Sequence, residues 1–149
     1  MTKPLYVLNG PHISLRGREP ETERASLGDV EELCRNVAAR FALGIEFRHS
    51  HHEGALIDWI HEGDRSGACG ILINPAGYGS TSVAISDAIR AVSIPVVEVR
   101  ISNIRAREDF RHGPSLSRGD RAVICGFGVE GYALAIIGLA TMVSAGVNN

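Results

Sequence analysis

Five short strand-like stretches constrain this chain most: Leu5–Leu8, Ile45–Arg48, Gly70–Ile73, Val96–Val99 and Ala122–Cys125. Leu5–Leu8, Gly70–Ile73 and Ala122–Cys125 are continuous apolar runs, and Val96–Val99 is broken only by Glu98, as expected of strands buried on both faces of a parallel sheet, while Ile45–Arg48 alternates. Amphipathic stretches follow four of them. After the first, Val30, Leu33, Cys34, Val37, Ala38 and Phe41 mark one helical face, with Ser26 or Asp29 to cap it and Gly44 to end it as the C′ glycine. After the second, Ala55, Leu56, Trp59 and Ile60 make a short helix that stops by Gly63. After the third, a helix beginning near Val83 carries Val83, Ala84, Ala88, Ile89 and Val92, with Ser80, Thr81 or Ser82 as N-cap. After the fifth, Tyr132, Ala135, Ile136, Leu139, Ala140 and Val143 do the same. This alternation predicts an α/β chain with helices on both faces of a five-stranded parallel sheet. Right-handed crossovers favour the strand order 2-1-3-4-5.

In such a sheet, ligands bind outside the carboxyl ends of the strands, where the order reverses between strands one and three. Asn9, Asn74 and the segment Arg100-Ile101-Ser102 fall at those ends. Asn74 opens the Gly/Pro-rich loop that leads to the Val83 helix, whose N-terminus offers free backbone N–H groups to an anion. Two long polar stretches, 12–26 and 101–121, complete the candidate site. The first reads as a lid. The second carries Arg105, Arg107, Arg111, Arg118 and Arg121. In a helical turn Arg107 and Arg111 would share one side, where, beside Ser102, they suit a carboxylate.

The 149 residues suit one domain, 1–149, with a single core, and 44% hydrophobic residues are enough to build it. A net charge of −2 without a basic block argues against nucleic acid or an anionic membrane as partner. No apolar run reaches the length of a membrane span, and the start lacks a signal-peptide core, so the expected compartment is the cytoplasm. Three cysteines without a C-x-x-C pair read as small buried hydrophobes.

Other motifs carry less. Gly126-Phe127-Gly128-Val129-Glu130-Gly131 matches G-x-G-x-x-G, but too little chain follows for the rest of a dinucleotide unit, so close helix–strand packing is preferred. Gly77-Tyr78-Gly79-Ser80-Thr81 lacks the Gly-Lys of a P-loop. His49, His51, His52 and Glu53 are expected to point in alternating directions rather than to hold a metal.

The ordered strings resemble the type II 3-dehydroquinate dehydratases over nearly the whole chain. They are Asn9-Gly10-Pro11, Arg18-Glu19-Pro20, Ser50-His51-His52-Glu53-Gly54 with Leu56-Ile57-Asp58, and Asn74-Pro75 through Tyr78 with Thr81-Ser82-Val83-Ala84 and Asp87. Glu98-Val99, Ile101-Ser102-Asn103, Ala106 through Arg111, Gly126-Phe127-Gly128 and Gly131-Tyr132 complete the set. The resemblance implies a flavodoxin-like three-layer sandwich, trimers grouped into dodecamers, and no cofactor or metal. It implies elimination of water from 3-dehydroquinate through an enolate, with a lid tyrosine as base and a histidine as acid. By motif position Asn74, Ser102 and Arg111 would bind substrate, with the backbone at Ile101 holding its carboxylate. Arg18 and Arg107 would lower the base's pKa, Asp87 would reach across a subunit boundary, and Glu98 would support the acid.

The departures fall on the chemistry. The base tyrosine's place holds Glu23 and the acid histidine's place holds Arg100. The asparagine after Asn-Gly-Pro is His12, the third-strand histidine is Ser80, and the lid is one residue shorter between His12 and Arg18. Tyr6, Tyr78 and Tyr132 lie elsewhere and cannot replace the base. A guanidinium keeps its proton, so Arg100 suits an anion or a negative oxygen rather than proton donation. Glu23 can accept a proton, and His12 titrates near neutrality. The expectation is a lyase acting on 3-dehydroquinate or a close cyclic hydroxy-carboxylate. Its alternative is a family member that binds such a ligand without turnover, or acts on a different cyclic acid.

Overall fold

The computed structural model describes residues 3–11, 13, 26–102 and 122–146. Elements follow in the order β1 (Leu5–Asn9), α1 (Leu27–Ala39), β2 (Ile45–His49), α2 (Glu53–Arg65), β3 (Gly70–Asn74), α3 (Tyr78–Thr81), α4 (Val83–Ala91), β4 (Val96–Arg100), β5 (Ala122–Cys125) and α5 (Glu130–Ser144). The strands form one parallel sheet of order β2-β1-β3-β4-β5, as expected.

The period-2 alternation of strand side chains divides the core into two layers. Leu5, Val7, Leu72, Val97 and Val99 pack with α1 and α5 residues such as Val30, Cys34, Ile136 and Leu139. Tyr6, Leu8, Ile71, Ile73 and Val96 pack with Leu56 and Ile60 of α2 and Ile85 and Ile89 of α4. The same alternation decides where the strand ends point. Asn9 and Asn74 continue the α1/α5 face, whereas Glu98 and Arg100 continue the α2/α4 face. The register sets Asn9 beside both His49 and Asn74.

Local chemistry explains the helix boundaries. Ser26 caps α1 through a reciprocal capping box with Asp29. The expected stop at Gly44 is corrected. The Leu43 N–H bonds the Ala38 carbonyl at 3.0 Å and the Ala42 N–H bonds that of Ala39 at 3.1 Å, so the left-handed residue is Ala42, at φ 56°. Phe41 thus falls past the helix and is exposed. α2 does not stop by Gly63 either. Gly63 is buried within the helix, where an added Cβ would meet the Tyr6 ring and Ile71 Cδ1 at 3.4 Å, and the chain turns at Gly67, φ +75°. Tyr6 also holds α2 through its hydroxyl, which donates to Glu62 at 2.7 Å, while Arg48 pairs with Glu62 at 2.6 Å.

Ser82 is the cap of α4, accepting from the Ile85 N–H at 2.9 Å. Ser80 and Thr81 belong instead to the single turn α3, in place of the expected loop. With that phase Ile85, Ala88 and Ile89 point inward, and Val83 and Ala84 are exposed. On α5 the expected apolar face is buried except for Val143. Gly131 at its start is a packing glycine, as anticipated: an added Cβ would lie 3.0 Å from Val99 Cγ2. Cys34 is buried, with its thiol pushed up to about 12 by desolvation, while Cys69 and Cys125 are only half-buried.

Candidate active site

The carboxyl edge of the sheet gathers most of the described site residues. On the α1/α5 side, the Tyr132 hydroxyl reaches up from α5 and donates to Asn9 Oδ1 at 2.7 Å. It accepts from Asn74 Nδ2 at 2.9 Å. Asn9 Nδ2 donates to the Arg48 carbonyl at 2.9 Å, and Asn74 Oδ1 accepts from the Ala76 N–H at 3.2 Å. Both asparagines are buried. The Asn74 carboxamide therefore keeps one Nδ2 hydrogen beyond its bond to Tyr132. The backbone is equally close here. The Gly10 N–H bonds the Asn74 carbonyl at 2.7 Å, and a Cβ at Gly10 would lie 2.5 Å from the Pro75 oxygen.

On the opposite side, Glu98 is fully buried and accepts from Arg100 Nη1 at 3.0 Å through Oε1. Glu98 Oε2 is buried without a hydrogen-bond partner among the described residues. The Arg100 side chain is one-tenth exposed. Beyond it the chain turns toward β5, with the Ile101 carbonyl accepting from the Gly128 N–H at 2.9 Å. The Ile101 side chain packs in the α1/α5 layer, and Ser102 is half-buried at the rim.

His49 ends β2 next to Asn9. Its ring meets that of His51 edge-on with centroids 4.8 Å apart, on the same side, as alternation sets residues two apart. Among the described residues no group of three or more His, Cys, Asp or Glu is placed to hold a metal ion. His49 Nε2 is buried without a hydrogen-bond partner among the described residues. Burial, then the neighbouring His51, push its pKa below the ordinary value, against a hydrogen bond with the Gly10 backbone.

Of the residues expected at the site, Asn74, Glu98, Arg100, Ile101 and Ser102 stand at the strand ends, and Ser80 is half-buried in α3 above β3. Asp87 is exposed on α4 and makes no hydrogen bond to this set among the described residues. His12, Arg18, Glu23, Arg107 and Arg111 lie outside the described residues. Sequence reasoning placed Tyr132 on the core face but missed its hydroxyl's work. A tyrosine among alanines, isoleucines and leucines on a buried face requires a polar partner, and that was the available signal.

The model for dehydroquinase class II matches residues 3–140. The chain belongs to that family. It is 54% identical over 146 residues to the 3-dehydroquinate dehydratase of Acidovorax ebreus, covering 94% of this chain and 99% of the relative. The type II dehydroquinase of Propionibacterium acnes superposes with a TM-score of 0.83 at 35% identity, over 94% of this chain and 99% of that one. The type II dehydroquinase of Butyrivibrio crossotus gives a TM-score of 0.88 at 34% identity, over 93% and 97%. The flavodoxin-like sheet of order 2-1-3-4-5 is thus the scaffold that these dehydroquinases share with this chain. Among the described residues, no helix is long and apolar enough to cross a membrane.

Proposed function

We propose that this chain is a hydro-lyase that eliminates water from 3-dehydroquinate or a closely related cyclic hydroxy-carboxylate, within shikimate or quinate metabolism. The observation that carries the reading is the identity of 51–54% to 3-dehydroquinate dehydratases along nearly the full length. The strand-end arrangement of Asn74, Ile101 and Ser102 supports it, because those are the positions from which the resemblance draws the substrate's ligands.

The proton-transfer set is altered in this proposal. Glu23 takes the role of base, with Arg18 and Arg107 beside it. Arg100, in the acid histidine's place, holds an oxygen electrostatically, and His12 is the substitute acid. Arg111 and Ser80 complete the ligand set. Exchanging a general acid or base changes rates by roughly 10²–10⁴, so turnover slower than an unaltered family member is expected. The test is direct: purified protein is incubated with 3-dehydroquinate and enone absorbance is followed. Turnover that falls by about 10²–10⁴ in Glu23→Gln supports the reading. Brisk turnover indifferent to Glu23 and Arg100 overturns the altered set.

A second reading has one observation in its favour. Arg100 is bound to Glu98 rather than standing as a proton donor. The chain would then bind a cyclic acid without dehydrating it, or act on a different one. Calorimetric binding without turnover separates this from the first reading.

The same proposal extends to assembly and place. Residues 1–149 act as one domain, and copies assemble as trimers grouped into a dodecamer. Val83, 67% exposed, and the exposed Asp87 on α4 support an intersubunit face. Light scattering on the purified chain tests it. The free thiols of Cys34, Cys69 and Cys125 support a cytoplasmic location.

A further inference from the structure

Gly79 lies in α3, buried against the end of β4. A Cβ built there would overlap Arg100 Nη1, approach the guanidinium carbon at 2.9 Å and meet Pro75 Cγ at 3.1 Å. The guanidinium therefore occupies the volume that any other residue at position 79 would fill with its side chain. The φ of Gly79 is not in the left-handed region, so backbone conformation does not demand glycine here. Space does. Glu98 holds the guanidinium in place by accepting from the same Nη1 at 3.0 Å.

From this we infer that Gly79 is a positioning residue for ligand binding: by lacking a side chain it seats Arg100 on the α3 turn, against Glu98, at the mouth of the strand ends. The seat has a definite chemistry. Nε and Nη2 of Arg100 make no hydrogen bond among the described residues, so donors remain for a ligand. Glu98 neutralises the local charge and adds an unpartnered carboxylate oxygen. A neutral hydroxyl or ketone oxygen of a cyclic acid suits these donors. A second carboxylate does not, because the Glu98 charge repels it. This specificity rests on the reading of the strand ends as a cyclic hydroxy-carboxylate site, but the seat itself does not.

The experiment is a cycle of four proteins: the wild type, Gly79→Ala, the pair-free Glu98→Gln/Arg100→Met, and the triple variant. Melting temperature and the dissociation constant for quinate, by calorimetry, are measured on each. Gly79→Ala is expected to lower the melting temperature of the wild type by about 5 °C and to weaken quinate binding about tenfold. In the pair-free background the same substitution is expected to change melting by less than about 1 °C and to leave the dissociation constant where it was. A glycine with a merely structural role would move melting without moving affinity in a folded variant. Equal melting losses in both backgrounds overturn the seat, because something other than Arg100 then excludes the side chain. An unchanged affinity in Gly79→Ala overturns its role in ligand binding. If the wild type neither binds quinate nor turns over 3-dehydroquinate, the functional reading fails and the binding role with it, while the melting cycle still decides the seat.

Discussion

On the α1/α5 face of the sheet, the last polar side chains of β1 and β3 share one tyrosine. On the α2/α4 face, the last polar side chains of β4 share only each other among the described residues. The Asn9–Tyr132–Asn74 chain is neutral, and each carboxamide reaches a backbone group as well as the hydroxyl. Glu98 and Arg100 are charged, joined by one hydrogen bond, and leave Glu98 Oε2 without a partner. A satisfied buried network locks a framework. A half-satisfied charged pair is costly to keep for stability alone, and such costs gather where a ligand must be met. The difference assigns the two faces of one sheet edge different work: the first fixes β1, β3 and α5 against each other and leaves one Asn74 Nδ2 hydrogen, while the second keeps most of a guanidinium's donors available.

The largest effect that tests this contrast comes from breaking the charged pair on one side only. Arg100→Ala leaves the Glu98 carboxylate buried without its cation and is expected to cost about 3–5 kcal/mol in urea unfolding. Glu98→Gln/Arg100→Met removes both charges together and is expected to recover most of that loss. A cost for Arg100→Ala below about 1 kcal/mol would mean that the pair behaves like an exposed one, and the contrast between the faces would vanish.

Tyr132→Phe acts on the other face and is expected to cost less, about 1–3 kcal/mol, because it strips a partner from both buried asparagines. The measurement is again urea unfolding, with the slope unchanged if only the hydroxyl is lost. Activity in this variant should follow the folded fraction. A rate loss in fully folded Tyr132→Phe would move the tyrosine from framework to site.

Much of this was legible in the sequence because it depends on local pattern. Continuous apolar runs and helix-periodic faces led to the strand order and to most of the core. What was not legible depends on partners distant in sequence. Gly63 looked like a helix stop because the sequence does not reveal that Tyr6 and Ile71 pack against it. Gly44 looked like a C′ residue because nothing local favours Ala42 at positive φ, yet the Ala38 carbonyl receives Leu43 across it. At the site, Asn9, Asn74, Arg100, Ile101 and Ser102 were placed at strand ends by counting residues, whereas Glu98 entered only through the family resemblance. That Asn74 and Arg100 leave the sheet on opposite faces follows from period-2 alternation and was open to the same count. Gly79 carried no signal of its own, because its meaning lies in the guanidinium of a residue twenty-one positions later.

The smallest expected effect lies at the neutral edge and asks how well that edge excludes charge. Burial and the adjacent His51 hold the His49 pKa below its ordinary value, near 6.5 in an unfolded chain. Arg48, Glu46 and Glu62 form their own cluster about Arg48, which stacks over Tyr6 on the α2/α4 face. His51 is therefore the charge that matters to the His49 ring. A folded-state pKa lowered in this way means that the unfolded chain takes up a proton first as pH falls. The stability contributed by neutral His49 is then complete above about pH 6.5 and is lost as pH drops below it toward the folded value. Melting curves of the wild type should fall through this window more steeply than those of His49→Gln, which keeps a polar side chain but cannot titrate. His51 and His52 are present in both proteins, so the difference between the two curves isolates position 49. If the curves run parallel from pH 7 to pH 5, a proton reaches His49 Nε2 without penalty, and the end of β2 is as open to charge as the mouth at Arg100.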